Sequence, residues 1–293
     1  MSGLQEYQSQ VTKVSSVSII GNIILALFKL LAGVFAHSAA MVSDAVHSAS
    51  DVISSVIVII GVKYASKAAD EDHPYGHERM ESVAAITLAV LLFVTGLFIG
   101  HVAIENLSAG VTPDSVVPGM LALVAAVISI VVKEGMYWYT RFYARQVNSD
   151  ALMADAWHHR SDALSSIGAL VGIYGARRGL WWFDSVASIV ISLFIVKAAY
   201  DIYKSAIDKM VDKACDLALE NELRSLILSQ EGVVKIDLLQ TRMFGNKIYV
   251  DLEISADGEK KLKETHEIAQ KLHDKLEETY PNIKHIMIHV NPA

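Results

Sequence analysis

Cysteine is almost absent from this sequence: Cys215 is the only one in 293 residues, which excludes a disulfide framework and a thiolate metal cluster. An excess of positive charge is also missing. With 25 Lys and Arg against 32 Asp and Glu, the formal net charge is −7, which argues against nucleic acid as a partner. No G-x-x-x-x-G-K-[ST] segment occurs, so ATP is not expected as an energy source, and there is no H-E-x-x-H to suggest a zinc peptidase. Charge of either sign is scarce, at 19% of residues against 53% hydrophobic. Beyond about residue 210 long apolar runs are absent as well.

What is present lies largely before that point. There the apolar runs approach the roughly 20 residues needed to cross a bilayer. Six candidate spans result: 14–36, 39–66, 82–107, 116–140, 150–175 and 181–205. The polar segment from Met1 to Lys13 has neither a basic n-region nor a small-residue cleavage site, so the first span is expected to be an uncleaved membrane helix. Lys63, Lys67 and Arg79 fall in the connection between spans two and three, and Arg141 and Arg145 in that between four and five. Lys204, Lys209 and Lys213 follow span six, whereas the connections around His37 and from Asn106 to Gly119 carry no Lys or Arg. Arg177 and Arg178, between spans five and six, are the exception. The positive-inside rule then predicts a multi-pass cell-membrane protein with both termini in the cytoplasm.

The last eighty or so residues have a different pattern. Leu217 to Gln230 reads as an amphipathic helix. Val233 to Leu239 and the alternation Ile248, Val250, Leu252, Ile254 read as strands joined by a hairpin turn at Phe244-Gly245-Asn246-Lys247. Lys261 to Tyr280 is a charged helix stopped by Pro281, and Ile283 to Val290 is a last strand. The expected architecture is a polytopic α-helical membrane domain with six transmembrane helices, followed by a small cytoplasmic α+β domain of order αββαβ. The expected division is a transmembrane domain over 1–210 and a cytoplasmic domain over 211–293. An open sheet edge there is a natural place for a second copy of the chain.

Chemistry enters through a repeat. The twelve residues from Asp44 to Ser55 return from Asp155 to Ser166, both reading D-A-x-H-x-x-S-D-x-x-S-S inside apolar stretches. On a helix, His47 and Asp51 share a face, as do His158 and Asp162. Ionisable groups at membrane depth cost about 3 kcal/mol each on insertion scales, which marks them as functional. Spans two and five have no matching excess of Lys or Arg to neutralise these acids, whereas a metal would. Two imidazoles and two carboxylates suit a tetrahedral Zn²⁺ with bonds of about 2.0–2.2 Å, and leave Fe²⁺, Co²⁺, Ni²⁺, Mn²⁺ and Cd²⁺ open. Asp44 and Asp155, each three residues before a His, are candidate acceptors for the free imidazole N–H or polar residues facing a water-filled vestibule. The serine pairs 54/55 and 165/166 are expected to allow close helix packing. Lys29, Lys133 and Glu134 are expected to snorkel or pair locally, and His101 with Glu105 to be solvated.

The paired H-x-x-x-D in the second and fifth of six spans, ahead of a small α+β domain, resembles the cation diffusion facilitator family of metal exporters. A second segment, Asp70-Glu71-Asp72-His73-Pro74-Tyr75-Gly76-His77-Glu78-Arg79-Met80-Glu81-Ser82, is similar to the family's D-x-x-H-x-[FY]-G-H-x-[KR]-x-E-S signature. The resemblance covers nearly the whole chain. It implies a transport site at His47, Asp51, His158 and Asp162, and a cytoplasmic loop site at Asp70, His73 and His77. It further implies an interlock between Arg79 and an acid after span six, here Asp212, and a homodimer. His266 and His289 match positions where relatives bind further metal, and Asp251 stands where many have His, although Ile236 replaces a family ligand and Asn291 stands where an acid is common. Histidine with aspartate on both helices resembles the zinc group.

The implied activity is secondary efflux of a divalent cation, Zn²⁺ first, driven by inward protons. Metal binds deprotonated ligands, so binding expels protons and reprotonation expels metal. Two alternatives use the same ligands: a membrane metallohydrolase with an acid such as Asp51 or Asp162 as base, and a membrane metal sensor that binds without flux.

Overall fold

The computed structural model describes residues 3–35, 45, 48, 51–109, 120–177 and 182–293. It divides into two compact units, Met1–Ala206 and Ile207–Ala293. Among the described residues, six helices run in sequence through the first unit, the last continuing into the second: α1 (Gly3–Phe35), α2 (Val52–Ala65), α3 (Met80–Ala109), α4 (Met120–Gln146), α5 (Asp150–Arg177) and α6 (Trp182–Met210). Within these, Glu6–Ala32 and Met80–Ser108 are each long and apolar enough to cross a membrane, with mean hydropathies of 2.0 and 2.5, and α2 is a shorter apolar helix. The outward face of α1 carries Ile20, Ile24, Leu27 and Leu31 at helical spacing, all exposed. An apolar stripe turned away from the protein is what hydrocarbon requires of a membrane helix.

The helices overrun the apolar runs expected of them. α1 begins in the polar segment because Tyr7, Val11 and Val14 recur at intervals of four and three and are buried in the core. α4 continues past residue 140 because Ala144 is buried. It stops at Asn148, whose φ of 52° lets Ser149 N–H reach Ala144 C=O at 2.9 Å. α6 stops in the same way at Asp212, φ 61°, with Lys213 N–H on Asp208 C=O at 3.0 Å. Small residues dominate the contacts inside the bundle: Ala85, Ala89, Ala151, Ala154 and Ala163 are all buried. They let backbones approach where lipid offers no hydrophobic driving force.

The second unit follows the order αββαβ: α7 (Leu217–Leu228), β1 (Lys235–Phe244), β2 (Lys247–Ala256), α8 (Leu262–Thr279) and β3 (Ile283–Pro292). β1 and β2 are antiparallel, and β2 pairs with β3 in parallel, giving the order β1-β2-β3. Gly245, φ 63°, is the first central residue of the two-residue hairpin turn, the position where a type II′ turn requires positive φ. Ile248, Val250, Leu252 and Ile254 alternate onto the buried face, where Leu272 and Leu276 of α8 and Leu223 and Ile227 of α7 join them. The parallel β2–α8–β3 crossover is what allows α8 to cover that face.

Candidate metal centre

Three of the four ligands expected from the repeat can be followed. His47 and Asp44 lie outside the described residues. Asp51 stands at the first turn of α2, but its carboxylate does not cap the helix. His158 and Asp162 lie one turn apart on α5. His158 Nε2 is 3.4 Å from Asp51 Oδ1, and ligand atoms of Asp51, His158 and Asp162 all fall within 4.8 Å of one another. A tetrahedral metal with bonds of about 2.1 Å holds its ligands about 3.4 Å apart, so small side-chain rotations would close this group on an ion.

These acids meet a cation from outside the two helices that carry the repeat. The cation comes from α4. Lys133 Nζ donates to Asp51 Oδ2 at 2.6 Å, to Asp162 Oδ2 at 2.9 Å and to Asn22 Oδ1 of α1 at 2.9 Å. Its three N–H donors thus meet three acceptors from three helices. Nor does Lys133 snorkel. It lies 13 residues from the start of α4 and 13 from its end, about 20 Å either way at 1.5 Å per residue, far beyond its side chain's reach. Lys29 is likewise buried and donates to Ser48 Oγ at 2.9 Å. In the sequence, Asn22 and Lys133 were visible only as polar interruptions of apolar runs.

Asp155 is not the acceptor for His158. It is fully buried and accepts from Ser55 Oγ at 3.1 Å, with Ser54 Oγ at 2.8 Å from both Asp155 Oδ1 and Asp51 C=O. Ser54 and Ser55 therefore do more than allow close packing: they fasten α2 to α5. His159, next to His158, is also fully buried and faces Asp155 at 3.6 Å.

The loop group is assembled too. Asp70 Oδ1 accepts from the His73 backbone N–H at 2.8 Å and lies 3.1 Å from its Nδ1, and His77 Nε2 is 3.5 Å from Asp70 Oδ2. Ligand atoms of Asp70, His73 and His77 all lie within 4.8 Å of one another. Gly76, φ 95°, makes the turn that brings His77 back over His73, with ring centroids 4.5 Å apart. Here also a lysine sits on the acid. The Lys67 ammonium, 2.5 Å away, holds the Asp70 carboxyl well below the usual carboxylate range, with the His73 contacts adding to it.

The cytoplasmic-domain triad does not assemble within one chain. Asp251 pairs in register with Met287, and His289 with Glu253, so both lie on the sheet face opposite the α8-covered core. His266 is exposed on α8, the helix covering the other face. On the outer face a different cluster forms around Asp237, which accepts from Ser255 at 2.6 Å and Asn291 at 3.2 Å and pairs with Lys235 at 2.7 Å. These contacts, Lys235 first, hold the Asp237 carboxyl down to about 2. His101 and Glu105 are exposed and 3.5 Å apart, in keeping with a solvated pair. Arg79 and Asp212 belong to different units.

Comparison with known proteins bears on both units. Residues 15–211 match the cation efflux transmembrane domain, and residues 216–293 match the cytoplasmic domain of cation efflux proteins. An uncharacterized transporter of Methanocaldococcus jannaschii is 36% identical over 96% of this chain and 98% of its own length. The manganese efflux system protein MneP of Bacillus subtilis is 30% identical over 96% of this chain and 95% of its own. Metal tolerance protein C1 of Arabidopsis thaliana is 32% identical over 99% of this chain and 64% of its own.

Proposed function

The chain belongs to the cation efflux family, the cation diffusion facilitators, and we propose that this membrane transporter of divalent metal cations carries Zn²⁺ out of the cytoplasm in exchange for protons. A family of metal cation transporters leaves no place for the metallohydrolase reading. The observation that carries the proposal is the convergence of Asp51, His158 and Asp162 from two helices, deep in the bundle. Imidazole favours Zn²⁺ over the harder Mn²⁺, and the matching repeat adds His47 to the set. Each imidazole must be free of its proton to bind metal, so loading releases protons and protons arriving from outside release the metal. Rocking of helix groups would expose the site first to one side and then to the other. Six spans with both termini cytoplasmic, a homodimer joined in part through the second unit, an Arg79–Asp212 link and a regulatory metal at Asp70, His73 and His77 complete the proposal.

A second reading has its own support. Two of the three ligands described are carboxylates, and two relatives are named manganese efflux proteins, so Mn²⁺ is the competing cargo. Sealed vesicles containing the purified protein decide between them. Under an imposed pH gradient, Zn²⁺ flux should exceed Mn²⁺ flux, and the lumen should lose protons and turn more alkaline as metal enters. Flux of Mn²⁺ above Zn²⁺ would reassign the cargo, and binding without flux would favour the sensor.

A further inference from the structure

We propose that Lys133 is a tethered competitor for the transported cation: its ammonium holds Asp51 and Asp162, and metal enters by displacing it toward Asn22. The proposal rests on the reading of Asp51, His158 and Asp162 as the transport site. Lys133 Nζ contacts both carboxylates at 2.6 and 2.9 Å, so any dication drawing on the same oxygens meets a positive charge within a few ångströms. Two carboxylates with one ammonium carry a net charge of −1, and with one dication they are neutral. With both cations the sum is +1 inside a side-chain shell that is almost wholly buried. Low dielectric makes that third arrangement unfavourable. The ammonium must therefore move off the carboxylate oxygens as the dication takes them, which widens the separation of the two positive charges.

The ammonium cannot leave for water, because Lys133 is 1% exposed at the middle of α4. It does have somewhere to go. Asn22 Oδ1, 2.9 Å away on α1, is a neutral acceptor that is no part of the carboxylate pair. A short swing of a flexible four-carbon stem would exchange the acids for Asn22 while keeping one strong hydrogen bond. The reverse swing puts a positive charge back between the carboxylates. It then resists rebinding after release and spares the site from returning as two bare buried acids. Lys133 would thus trade affinity for turnover.

The test is Zn²⁺ and Mn²⁺ flux into vesicles containing the full-length protein, read as KM and kcat separately, with the loop group left intact in every variant. Lys133→Met keeps the apolar stem and removes the competitor. It should lower KM by at least about fivefold, the lower end of usual couplings between linked ligands, and lower kcat as release slows. Asn22→Leu leaves both ion pairs in place and removes an acceptor that is one of three at rest but would be the one left to the displaced ammonium, so displacement is penalised more than the resting state and KM should rise. A structural defect alone would reduce the active fraction, and so kcat, for both variants without moving KM in opposite directions. If Lys133→Met does not fold, Asn22→Leu decides alone: a raised KM supports the proposal and an unchanged or lowered one overturns it. An unchanged or raised KM in folded Lys133→Met overturns it as well. A wild-type protein that moves neither metal would instead overturn the transport-site reading on which this rests.

Discussion

At the scale of single residues, the central fact is that Asp51 and Asp162 share one ammonium. Replacing Asp162 by Asn leaves Lys133 and Asp51 as a neutral pair, so an arriving dication finds no net negative charge and one charged ligand fewer. Loss of groups that merely support metal ligands costs about 10- to 100-fold, so Asp162→Asn or Asp51→Asn should reduce vesicle flux by more than about 100-fold. Wild-type flux in either variant would remove these residues from the transport path. The grouping of Asp51, His158 and Asp162 was legible in the sequence because a repeated H-x-x-x-D within an apolar stretch is hard to explain by packing. Lys133 and Asn22 were not. A lysine in an apolar run is equally compatible with snorkelling until the helix ends are known, and only the depth of residue 133 within α4 separates the two. Asp155 was misread because spacing put it near His158, whereas its partners came from across the helix interface, on Ser54 and Ser55.

At the scale of elements, α5 has two polar faces with different work. His158 and Asp162 look toward Lys133, and Asp155 binds α5 to α2. Interhelical hydrogen bonds in membranes average about 0.6 kcal/mol and reach about 1.7, so losing this clasp in Asp155→Ala should cost about 1–2 kcal/mol. Thermal unfolding in detergent should show a lower midpoint, with Zn²⁺ KM near the wild-type value. A large change in KM with no loss of stability would instead place Asp155 in the metal path. The helices also show why their limits were only partly legible. Bilayer thickness sets the apolar length, but α1 and α4 extend further on buried residues such as Tyr7 and Ala144 that hydropathy does not register. Strands in the second unit were clearer, because period-two alternation and the Gly245-Asn246 turn fix them locally. The outer sheet face carries a pH dependence of its own. Asp237 titrates at about 2 in the folded protein and at about 3.9 when unfolded. A depressed carboxyl contributes stability fully above the unfolded value, and that contribution is lost as pH falls through the folded one. Pepsin cleavage within residues 235–256 should therefore rise between pH 4 and 2 in the wild type, and rise less steeply in Asp237→Asn.

At the scale of the whole molecule, two groups that could hold a metal stand among the described residues of the first unit, and each has a lysine on its aspartate: Lys133 at Asp51 and Asp162, Lys67 at Asp70. Their surroundings differ. The first is closed in by helices, while His73 and Lys67 are more than half exposed in a connection between α2 and α3. The D-x-x-H-x-x-x-H spacing made the loop group legible, since a turn at Gly76 is enough to bring its members together. No comparable local device joins Asp251, His266 and His289, whose placement depends on sheet register and on which face α8 covers. A group in an exposed loop can sense metal but gains little from the low dielectric that makes proton and metal exclude each other. Replacing Asp70, His73 and His77 together by alanine should therefore lower the flux or change its dependence on metal concentration, and leave its response to the pH gradient intact. The measurement is initial Zn²⁺ flux across a series of imposed pH gradients, for the triple variant beside wild type. Parallel curves of reduced height are expected. If the triple variant shows no proton-driven flux at any metal concentration, the loop group belongs to the transport path itself, and the cation must pass through Asp70, His73 and His77 before it meets Lys133.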